Sequence, residues 1–502
     1  MNGRVKLAAV FSDHMVLQRG KAFPVWGQGA DGAPVTVRNR GIERTAAVKD
    51  GRWRVIMPPQ DAGEPCTLSV RCGDEEIVLE DVLFGDVWLA GGQSNMEWPL
   101  SGAKDGLAEA EAARDTRLRF YNVPKCAYTG AKLEEAERGA RWQICTGEDA
   151  KDVSAVAYWF AKEIRAEVGV PVGIVGCNWG GTSAAAWMSR ERLYKMVSGR
   201  SYAEDYARRG GDKSEEEYAR DMAEFDRVHN AWKEKSDAIW AKNPKTPWRD
   251  IVAACGETPW PPPPGPTSPF RPSGLYETML SRVAPLALKG FLYYQGEEDW
   301  NRSADYYDWM CALIGQWRQD FRDDELPFLF VQLPMYDTSE SIENGWVSED
   351  WPRLREAQLQ VSRFVRGTGL AVIPDCGELD NIHPADKEPV GHRLALHALK
   401  RVYGREADAD APVARLIERF GSELRVTFDK PLELRGEGLF EVAGENGVYH
   451  NGGVVRVNGD TLTVSAEEVS EPCALRYAWR AYCAAPLYGA NGLPVSPFRG
   501  AV

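Results

Sequence analysis

The sequence predicts an α/β fold with a parallel-sheet core between two β-rich ends. Short apolar runs at 86–90, 172–177 and 290–294 are separated by helix-forming stretches. This alternation is typical of a parallel sheet that helices cover on its faces. Residues 1–82 and 405–502 show short extended runs between turns. A chain of 502 residues has room for about two to four domains, and its 44% hydrophobic content can fill their cores.

We predict three domains. Residues 1–82 form a small N-terminal β-sandwich, in which Asp50-Gly51 marks a hairpin turn between two extended runs. Residues 83–404 form the α/β domain, and they contain a charged, helix-forming and Pro-rich insert at about 190–270. Residues 405–502 form a C-terminal β-rich domain. The insert is either a solvent-exposed insertion without a role in the site or one wall of a substrate cleft.

Charge and hydropathy exclude several classes of partner. The formal net charge is −14, and no basic run is present, so we expect no nucleic-acid partner. No stretch approaches the roughly 20 apolar residues that span a bilayer, so we expect no membrane partner. The N-terminus enters strand-like sequence without an apolar signal core, which predicts a cytoplasmic protein unless a leader has been removed.

The ten cysteines are scattered, without a CxxC pair or a Cys/His cluster. This distribution argues against a zinc site and against a disulfide framework. We therefore expect no metal.

Residues 92–96 read Gly-Gln-Ser-Asn-Met and follow an apolar strand directly. Ser94 would lie at the carboxyl end of that strand, which is where α/β sheets bind ligands. Its backbone N–H could face a developing oxyanion. Taken alone, the motif also fits a serine that caps a helix. It is not the G-x-S-x-G nucleophile elbow, because Met96 stands where that motif has its second glycine.

Three further motifs complete a candidate set. Asp380 lies three residues before His383, and a carboxylate is what an imidazole needs to fix its tautomer. Gln295 follows an apolar strand and could donate its amide to an oxyanion. The pair Gly180-Gly181 follows another strand and offers a backbone N–H; the rival reading, phosphate binding, lacks the lysine of a P-loop. The set has a nucleophile, a base, an orienting acid and oxyanion donors, as acyl transfer requires.

These motifs occur in an order that resembles the bacterial sialate O-acetylesterase-like branch of the SGNH hydrolases. The resemblance covers nearly the whole chain. It is carried by 11–18 with 25–27, 92–96, 178–182 with 186–187, 271–276, 294–297, Asp380 with His383, 486–488 and 492–498. It implies an SGNH (flavodoxin-like) parallel-sheet core and cofactor-free ester hydrolysis. It also implies acetylated sugars as substrates, with O-acetylated sialic acid first among them.

We assign roles on this basis. Ser94 is the nucleophile, His383 the general base and acid, and Asp380 the residue that orients the imidazole. The N–H groups of Ser94 and Gly181, with the amide of Gln295, form the oxyanion hole.

Some alternatives stay open. Gly180 could replace Gly181 as the donor, and Glu297 is a possible second acid beside the histidine. Glu298-Asp299-Trp300 departs from the family pattern of a small residue followed by Asn, in a loop that could face substrate. The substrate could instead be acetylxylan or another polysaccharide. From a different class, the protein could be a carbohydrate-binding protein without activity. An oligomer is possible.

Overall fold

The computed structural model describes residues 5–243, 246 and 248–502. The chain divides into two compact units, and each is described by itself. The first contains the described residues up to Tyr218 together with Pro264–Gln295 and Trp309–Phe330. The second contains the described part of Ala219–Pro263 together with Gly296–Asp308 and Val331–Val502.

The strands, in chain order, are β1 (Lys6–Leu7), β2 (Val16–Gln18), β3 (Phe23–Gln28), β4 (Pro34–Asn39), β5 (Ile42–Ala47), β6 (Arg52–Met57), β7 (Cys66–Cys72), β8 (Glu75–Gly92), β9 (Leu118–Asn122), β10 (Gln143–Ile144), β11 (Val172–Asn178), β12 (Gly290–Tyr294), β13 (Phe328–Val331), β14 (Thr368–Ala371), β15 (Ala414–Phe420), β16 (Glu423–Phe428), β17 (Leu432–Leu434), β18 (Phe440–Ala443), β19 (Tyr449–Asn451), β20 (Val454–Asn458), β21 (Thr461–Ser465), β22 (Ala474–Tyr477), β23 (Leu487–Gly489) and β24 (Phe498–Ala501).

The α-helices are α1 (Ser94–Glu97), α2 (Gly106–Ala112), α3 (Ala131–Glu137), α4 (Ala155–Val168), α5 (Arg190–Lys195), α6 (Val197–Tyr206), α7 (Glu215–Lys242), α8 (Trp248–Cys255), α9 (Ser281–Val283), α10 (Tyr306–Asp320), α11 (Ser339–Glu343), α12 (Asp350–Phe364) and α13 (Glu388–Arg401). Short 3-10 helices span Leu100–Gly102, Asp149–Asp152, Ala184–Trp187, Glu297–Arg302 and Pro374–Cys376, and π turns span Ala207–Gly211 and Tyr276–Leu280.

A parallel sheet forms the core of the first unit, as the apolar runs predict. β8 lies at its centre and pairs in parallel with β11 on one side and with β12 on the other. β9 continues the sheet beyond β11, and β13 continues it beyond β12, again in parallel. The residues of β12 and β13 are buried throughout, as expected for strands covered on both faces. α4 begins after Ser154, whose side chain accepts the N–H of Ala157.

β8 is much longer than the apolar run that predicts it. Its first half pairs antiparallel with β7 and its middle pairs in parallel with β2, before it enters the parallel sheet. The Gln18 side chain at the end of β2 accepts the N–H of Val87 at 2.9 Å, and Arg19 pairs with the buried Asp86 at 3.0 Å. The predicted domain boundary between residues 82 and 83 therefore lies inside a continuous strand.

The turn at Asp50-Gly51 forms, but the predicted hairpin is wrong. Both residues have positive φ angles, of 53° and 70°, and an isolated bridge joins Lys49 to Arg52. The flanking strands nevertheless take different partners, because β5 pairs with β4 whereas β6 pairs with β3. A turn signal fixes the local reversal of the chain, while the register of the strands beyond it depends on which apolar faces they cover.

The C-terminal part of the second unit is rich in strands, as predicted. One sheet has the order β15-β16-β21-β20, and another has the order β19-β18-β22-β24. Alternating residues such as Leu424, Val426, Leu462 and Val464 are buried in a common apolar core. The period of two places one face of each strand in this core and the other face toward solvent.

The charged insert is helical, as predicted, and it contains α5 to α8. The described part of Ala219–Pro263 belongs to the second unit, and the rest of the insert belongs to the first. Among the described residues, no helix has both the length and the apolar character needed to cross a bilayer.

Candidate active site

Backbone hydrogen bonds hold together the ends of three parallel strands in the first unit. After β8, the N–H of Gln93 donates to the carbonyl of Tyr294 at the end of β12, at 3.0 Å. The carbonyl of Gly92 accepts the N–H of Trp179, which follows β11, at 3.1 Å. A Cβ on Gly92 would lie 2.1 Å from the carbonyl oxygen of Tyr294, and its φ is 132°, so only glycine fits there.

Ser94 begins α1 at this edge of the sheet and is half-buried. The chain after β11 packs directly against it, because a Cβ on Gly180 would lie 3.3 Å from the Cβ of Ser94. The strand-to-helix turn and the glycine loop are thus neighbours. The absence of a side chain at Gly180 leaves room for this close approach.

The two glycines of this loop differ in their hydrogen bonds. The N–H of Gly180 donates to Oε2 of Glu97 at 2.6 Å. Gly181 has a left-handed backbone with φ of 69°, and its N–H donates to no atom within the described part of the chain. Of the two predicted oxyanion donors, Gly181 is therefore the one whose N–H is not already bound by a carboxylate.

Gln295 follows β12 and is buried in the same cluster. Its Nε2 donates to the carbonyl of Thr182 at 3.2 Å, which fixes the amide over the glycine loop. The hydroxyl of Thr182 in turn donates to the carbonyl of Trp179 at 2.7 Å and accepts the indole N–H of Trp187 at 3.0 Å. The first unit therefore brings together three of the predicted site residues: Ser94, Gly181 and Gln295.

Glu97 is a component of this cluster that the sequence did not single out. It lies on the first turn after Ser94, and it forms an ion pair with Lys125 as well as accepting the N–H of Gly180. The Lys125 ammonium also lies 5.9 Å from the ring centre of Trp179. The only signal in the sequence is that Glu97 comes three residues after the serine, on the same helical turn.

His383 lies in the second unit, on a loop that its own polar residues hold. The backbone N–H of His383 donates to Oδ1 of Asn381 at 3.0 Å, and Nδ2 of Asn381 donates to Oε2 of Glu378 at 2.9 Å. A proline directly after His383 suits the first turn of a helix, but no helix starts at Pro384. α13 begins at Glu388 and has Pro389 in its first turn, where a missing N–H costs nothing.

Asp380 binds a different segment of the second unit. Its Oδ1 accepts the backbone N–H of Ser339 at 2.6 Å, and its Oδ2 accepts the hydroxyl of the same serine. Its own N–H donates to the carbonyl of Asp337 at 2.9 Å, and its φ is 60°. Within the described residues, neither carboxylate oxygen hydrogen-bonds to His383, so the orienting role of Asp380 stays a prediction.

A buried lysine, also missed by the sequence, adds a positive charge near His383. Lys387 is 1% exposed, and burial lowers its pKa to about 8, while Glu297 opposes that shift. Burial, with the nearby positive charge of Lys387, lowers the pKa of His383 to about 4. The imidazole is therefore neutral at physiological pH, which is the form that accepts a proton from a nucleophile. Glu297 itself is buried in the second unit.

Comparison with known proteins gives the class. A family model described as carbohydrate esterase, sialic acid-specific acetylesterase, matches residues 84–208 and 257–400, which is more than half of the chain and includes every candidate residue named above. The mouse sialate O-acetylesterase is 27% identical over 86% of this chain and 80% of its own length. The human sialate O-acetylesterase is 25% identical over 98% of this chain and 92% of its own.

A solved structure agrees with these matches. The crystal structure of a carbohydrate acetylesterase from Xanthomonas citri is 32% identical, covers 99% of both chains and superposes with a TM-score of 0.78. The α/β fold and the sequence matches define a carboxylic ester hydrolase that acts on carbohydrate. Within that class, the chain belongs to the family of sialic acid-specific acetylesterases, as its motifs predict.

Proposed function

We propose that the protein removes O-acetyl groups from carbohydrates through a covalent acetyl-serine intermediate on Ser94. The Ser94 hydroxyl attacks the acetyl carbonyl while His383 takes its proton. The tetrahedral oxyanion accepts hydrogen bonds from the N–H groups of Ser94 and Gly181 and from the Gln295 amide. The sugar oxygen then leaves with the proton from His383. Water, deprotonated by His383, then attacks the acetyl-serine, and His383 returns the proton to the Ser94 oxygen as acetate is released.

One observation carries this proposal. In the first unit, the chain segments after β8, β11 and β12 are hydrogen-bonded to one another around Ser94. These are the carboxyl ends of parallel strands, at the point where the chain leaves the central strand β8 toward both sides of the sheet. Such a switch point is the usual ligand site of an α/β sheet.

Two carboxylates remain candidates for the partner of His383. Asp380 is the nearer in sequence, but Ser339 already binds both of its oxygens. Glu297 is buried and acts electrostatically on Lys387, the same lysine that lowers the pKa of His383. We retain Asp380 as the orienting residue and Glu297 as a second acid, and the comparison of their variants decides between them.

The family supports O-acetylated sialic acid as the substrate, and we propose it first. We also propose that residues 83–404 form an SGNH-type catalytic domain between an N-terminal β-sandwich at 1–82 and a β-rich domain at 405–502. The parallel pairing of β8 with its neighbours supports the catalytic domain.

The test is acetate release from purified enzyme, measured with O-acetylated sialic acids and acetylated xylo-oligosaccharides in separate reactions. We expect release from the sialic acid esters by the native chain and none above background by Ser94→Ala. Preferred release from the xylo-oligosaccharides would assign a polysaccharide substrate instead. If acetate is released from neither substrate, the esterase proposal is wrong, and the alternative of a carbohydrate-binding protein without activity takes its place.

A further inference from the structure

We propose that a cavity of about 160 Å³ in the first unit binds a phosphate dianion between the guanidinium groups of Arg54 and Arg322. Every residue that lines this cavity belongs to the first unit, and none of them has a part in the proposed ester hydrolysis. The cavity lies beside the amino end of β12, whereas Gln295 follows the carboxyl end of that strand. Five strand residues span about 17 Å, so the two places are separate.

Two groups of residues form the lining of the cavity. In the first group, Pro24 of β3 and Ile56 of β6 are directly opposite each other in an antiparallel pair. Arg54 projects from the same face of β6 as Ile56, because it lies two residues away. The second group comes from residues 285–288, which precede β12, and from 321–326, which connect α10 to β13. The β3–β6 pair and the parallel sheet therefore meet at this cavity.

Positive charge predominates in the lining, whose charged residues are Lys21, Arg54, Arg322 and Asp323. Lys21 forms an ion pair with Asp323 at 2.6 Å and also donates to the carbonyl of Leu288 at 3.1 Å. It therefore neutralises the carboxylate. Three positive groups and one negative group leave the lining with a net charge of +2. The two arginines carry this charge, and it matches the charge of a phosphate dianion.

The two arginines have no carboxylate of their own. The chain has 74 aspartates and glutamates against 60 lysines and arginines. Even so, the guanidinium groups of Arg54 and Arg322 form no hydrogen bond or ion pair with any residue that the structure describes. Burial and the nearby positive charge of Arg322 lower the pKa of Arg54. An oxyanion between the two groups would replace this repulsion by attraction, since guanidinium groups bind phosphate oxygens through pairs of parallel hydrogen bonds.

Arg322 occupies a backbone position where glycine is expected. At the end of α10, the N–H of Arg322 donates to the carbonyl of Gln319, and the N–H of Asp323 donates to the carbonyl of Arg318, both at 3.0 Å. These two hydrogen bonds form the Schellman pattern, whose left-handed residue is usually glycine. Here that residue is Arg322, with a φ of 59°. An arginine in this conformation costs stability, which is explained if its guanidinium binds a ligand.

The apolar part of the lining indicates which phosphate fits best. Leu288, Phe321 and Leu326 line the cavity and are at most 4% exposed. A phosphate monoester can place its carbon atoms against such a wall while its phosphate lies between the arginines, whereas inorganic phosphate cannot use the wall. A volume of about 160 Å³ is small for a ligand pocket, so the ester must be small. We therefore expect a small phosphate monoester to bind more tightly than inorganic phosphate.

Titration calorimetry of the full chain tests the site with inorganic phosphate, glycerol 3-phosphate and acetate in turn. The ionic strength is held constant, at about pH 8, where a phosphate group is a dianion. We expect both phosphates to bind, the ester more tightly, and acetate to bind more weakly than either. Arg54→Gln and Arg322→Gly should each weaken phosphate binding about tenfold or more, because each removes charge-assisted hydrogen bonds. Arg52→Gln is the matched control and should keep the native affinity. It removes the same charge from the same face of β6, but Arg52 does not line the cavity.

Thermal unfolding of Arg322→Gly separates loss of the site from loss of the fold. Glycine adopts the left-handed conformation without strain, so we expect this variant to have a higher Tm than the native chain when no ligand is present. Phosphate should raise the Tm of the native chain further than that of Arg322→Gly. The rise that both share is the general effect of phosphate salts on protein stability.

Several outcomes would overturn the phosphate site. Equal phosphate affinity in the native chain and in Arg322→Gly would do so, as would an equal loss in Arg52→Gln. Tighter binding of acetate than of phosphate would make a monocarboxylate the ligand instead. A lower Tm for Arg322→Gly without ligand would show that the side chain stabilises the fold rather than binding a ligand. Equal affinity for the two phosphates would support the site, with inorganic phosphate as its ligand.

Discussion

Two regions of the molecule are built in different ways. One is the strand-end cluster of the first unit, which contains Ser94, Gly181 and Gln295, and the other is the histidine loop of the second unit, residues 378–383. Around Ser94, the positions follow from backbone hydrogen bonds between neighbouring strand ends and from Gly92, where no other residue fits. Around His383, side chains hold the loop, because Asn381 binds both Glu378 and the backbone of His383. Burial, together with the positive charge of Lys387, lowers the pKa of the imidazole. Backbone pairing fixes where a nucleophile lies, whereas side-chain electrostatics fix when a base is in its active form.

Removal of the Ser94 hydroxyl should have the largest effect, because the cluster would lose the atom that forms the covalent bond. We expect Ser94→Ala to lower kcat by about 10⁶, as for other serine nucleophiles. The rate is measured by the hydrolysis of p-nitrophenyl acetate. In a second experiment, the native enzyme is treated with a serine-directed phosphonate, and peptide mass spectrometry should find the label on Ser94. A label on another serine, or an active alanine variant with native circular dichroism, would show that the cluster does not contain the nucleophile.

The orienting acid should come next, and it lies on the histidine side of the comparison. Loss of a triad carboxylate typically lowers kcat by about 10⁴. We therefore expect the kcat of Asp380→Asn to fall by roughly this factor and the kcat of Glu297→Gln to fall less. The measurement is a pH–rate profile for each variant. If Asp380→Asn stays near the native rate while Glu297→Gln collapses, Glu297 is the orienting acid and the contact of Asp380 with Ser339 is structural.

Gln295→Ala removes the proposed side-chain oxyanion donor from the strand-end cluster. The expected cost is about 10²–10³ in kcat, with KM little changed, because the donated hydrogen bond matters most in the transition state. Steady-state kinetics on one sugar ester and on p-nitrophenyl acetate should show the same loss. An increase confined to KM would instead make Gln295 a substrate-binding residue, and the oxyanion hole would consist of backbone N–H groups alone.

Glu97→Gln tests how far a side chain supports the backbone of the cluster. The amide keeps an acceptor for the N–H of Gly180 but loses the charge, so we expect a decrease in kcat of about tenfold. Lys125→Met is the matched control, since it removes the ion-pair partner and leaves Glu97 on Gly180. A half-exposed ion pair of this kind contributes little to the stability of the fold by itself. An equal loss in both variants would mean that the ion pair, rather than the contact with Gly180, positions the loop.

Lys387→Met should give the smallest change in rate at neutral pH and a clear change in the acid limb. The proposed mechanism needs neutral His383, so we expect kcat/KM to fall as the pH drops through the pKa of this residue, about 4. Lys387 is positive throughout that range because its own pKa is about 8. Removing a like charge favours the protonated imidazole and raises its pKa, so the acid limb should move to higher pH. The pH profile of Lys125→Met should not move, and an unmoved limb in Lys387→Met would rule out this electrostatic role.

The sequence predicts the strand-end cluster well for a physical reason. Apolar runs identify the strands, and the residues directly after parallel strands meet at one edge of the sheet. Ser94, Gly181 and Gln295 needed only this rule. Gly180 shows its limit, because the carboxylate of Glu97 on its N–H is visible only in three dimensions.

The histidine loop is harder to predict because its partners are distant in sequence. Asp380 is three residues from His383, yet it binds Ser339, which is 41 residues away. Pro384 resembles a helix start, although the helix begins at Glu388. Nothing in the local pattern shows that Lys387 is buried, since lysine is rarely buried and its environment comes from the whole unit.

The position of β8 in the chain has a consequence for how the protein is made. β8 ends at residue 92, but its parallel partner β12 begins at residue 290. Ribosomes add about 5–20 residues per second, so the central strand waits for about 10–40 s before that edge can pair. During this interval its apolar residues resemble an uncovered edge strand, which is prone to pair with other chains. Because its contacts are so widely separated along the chain, we also expect this sheet to refold slowly.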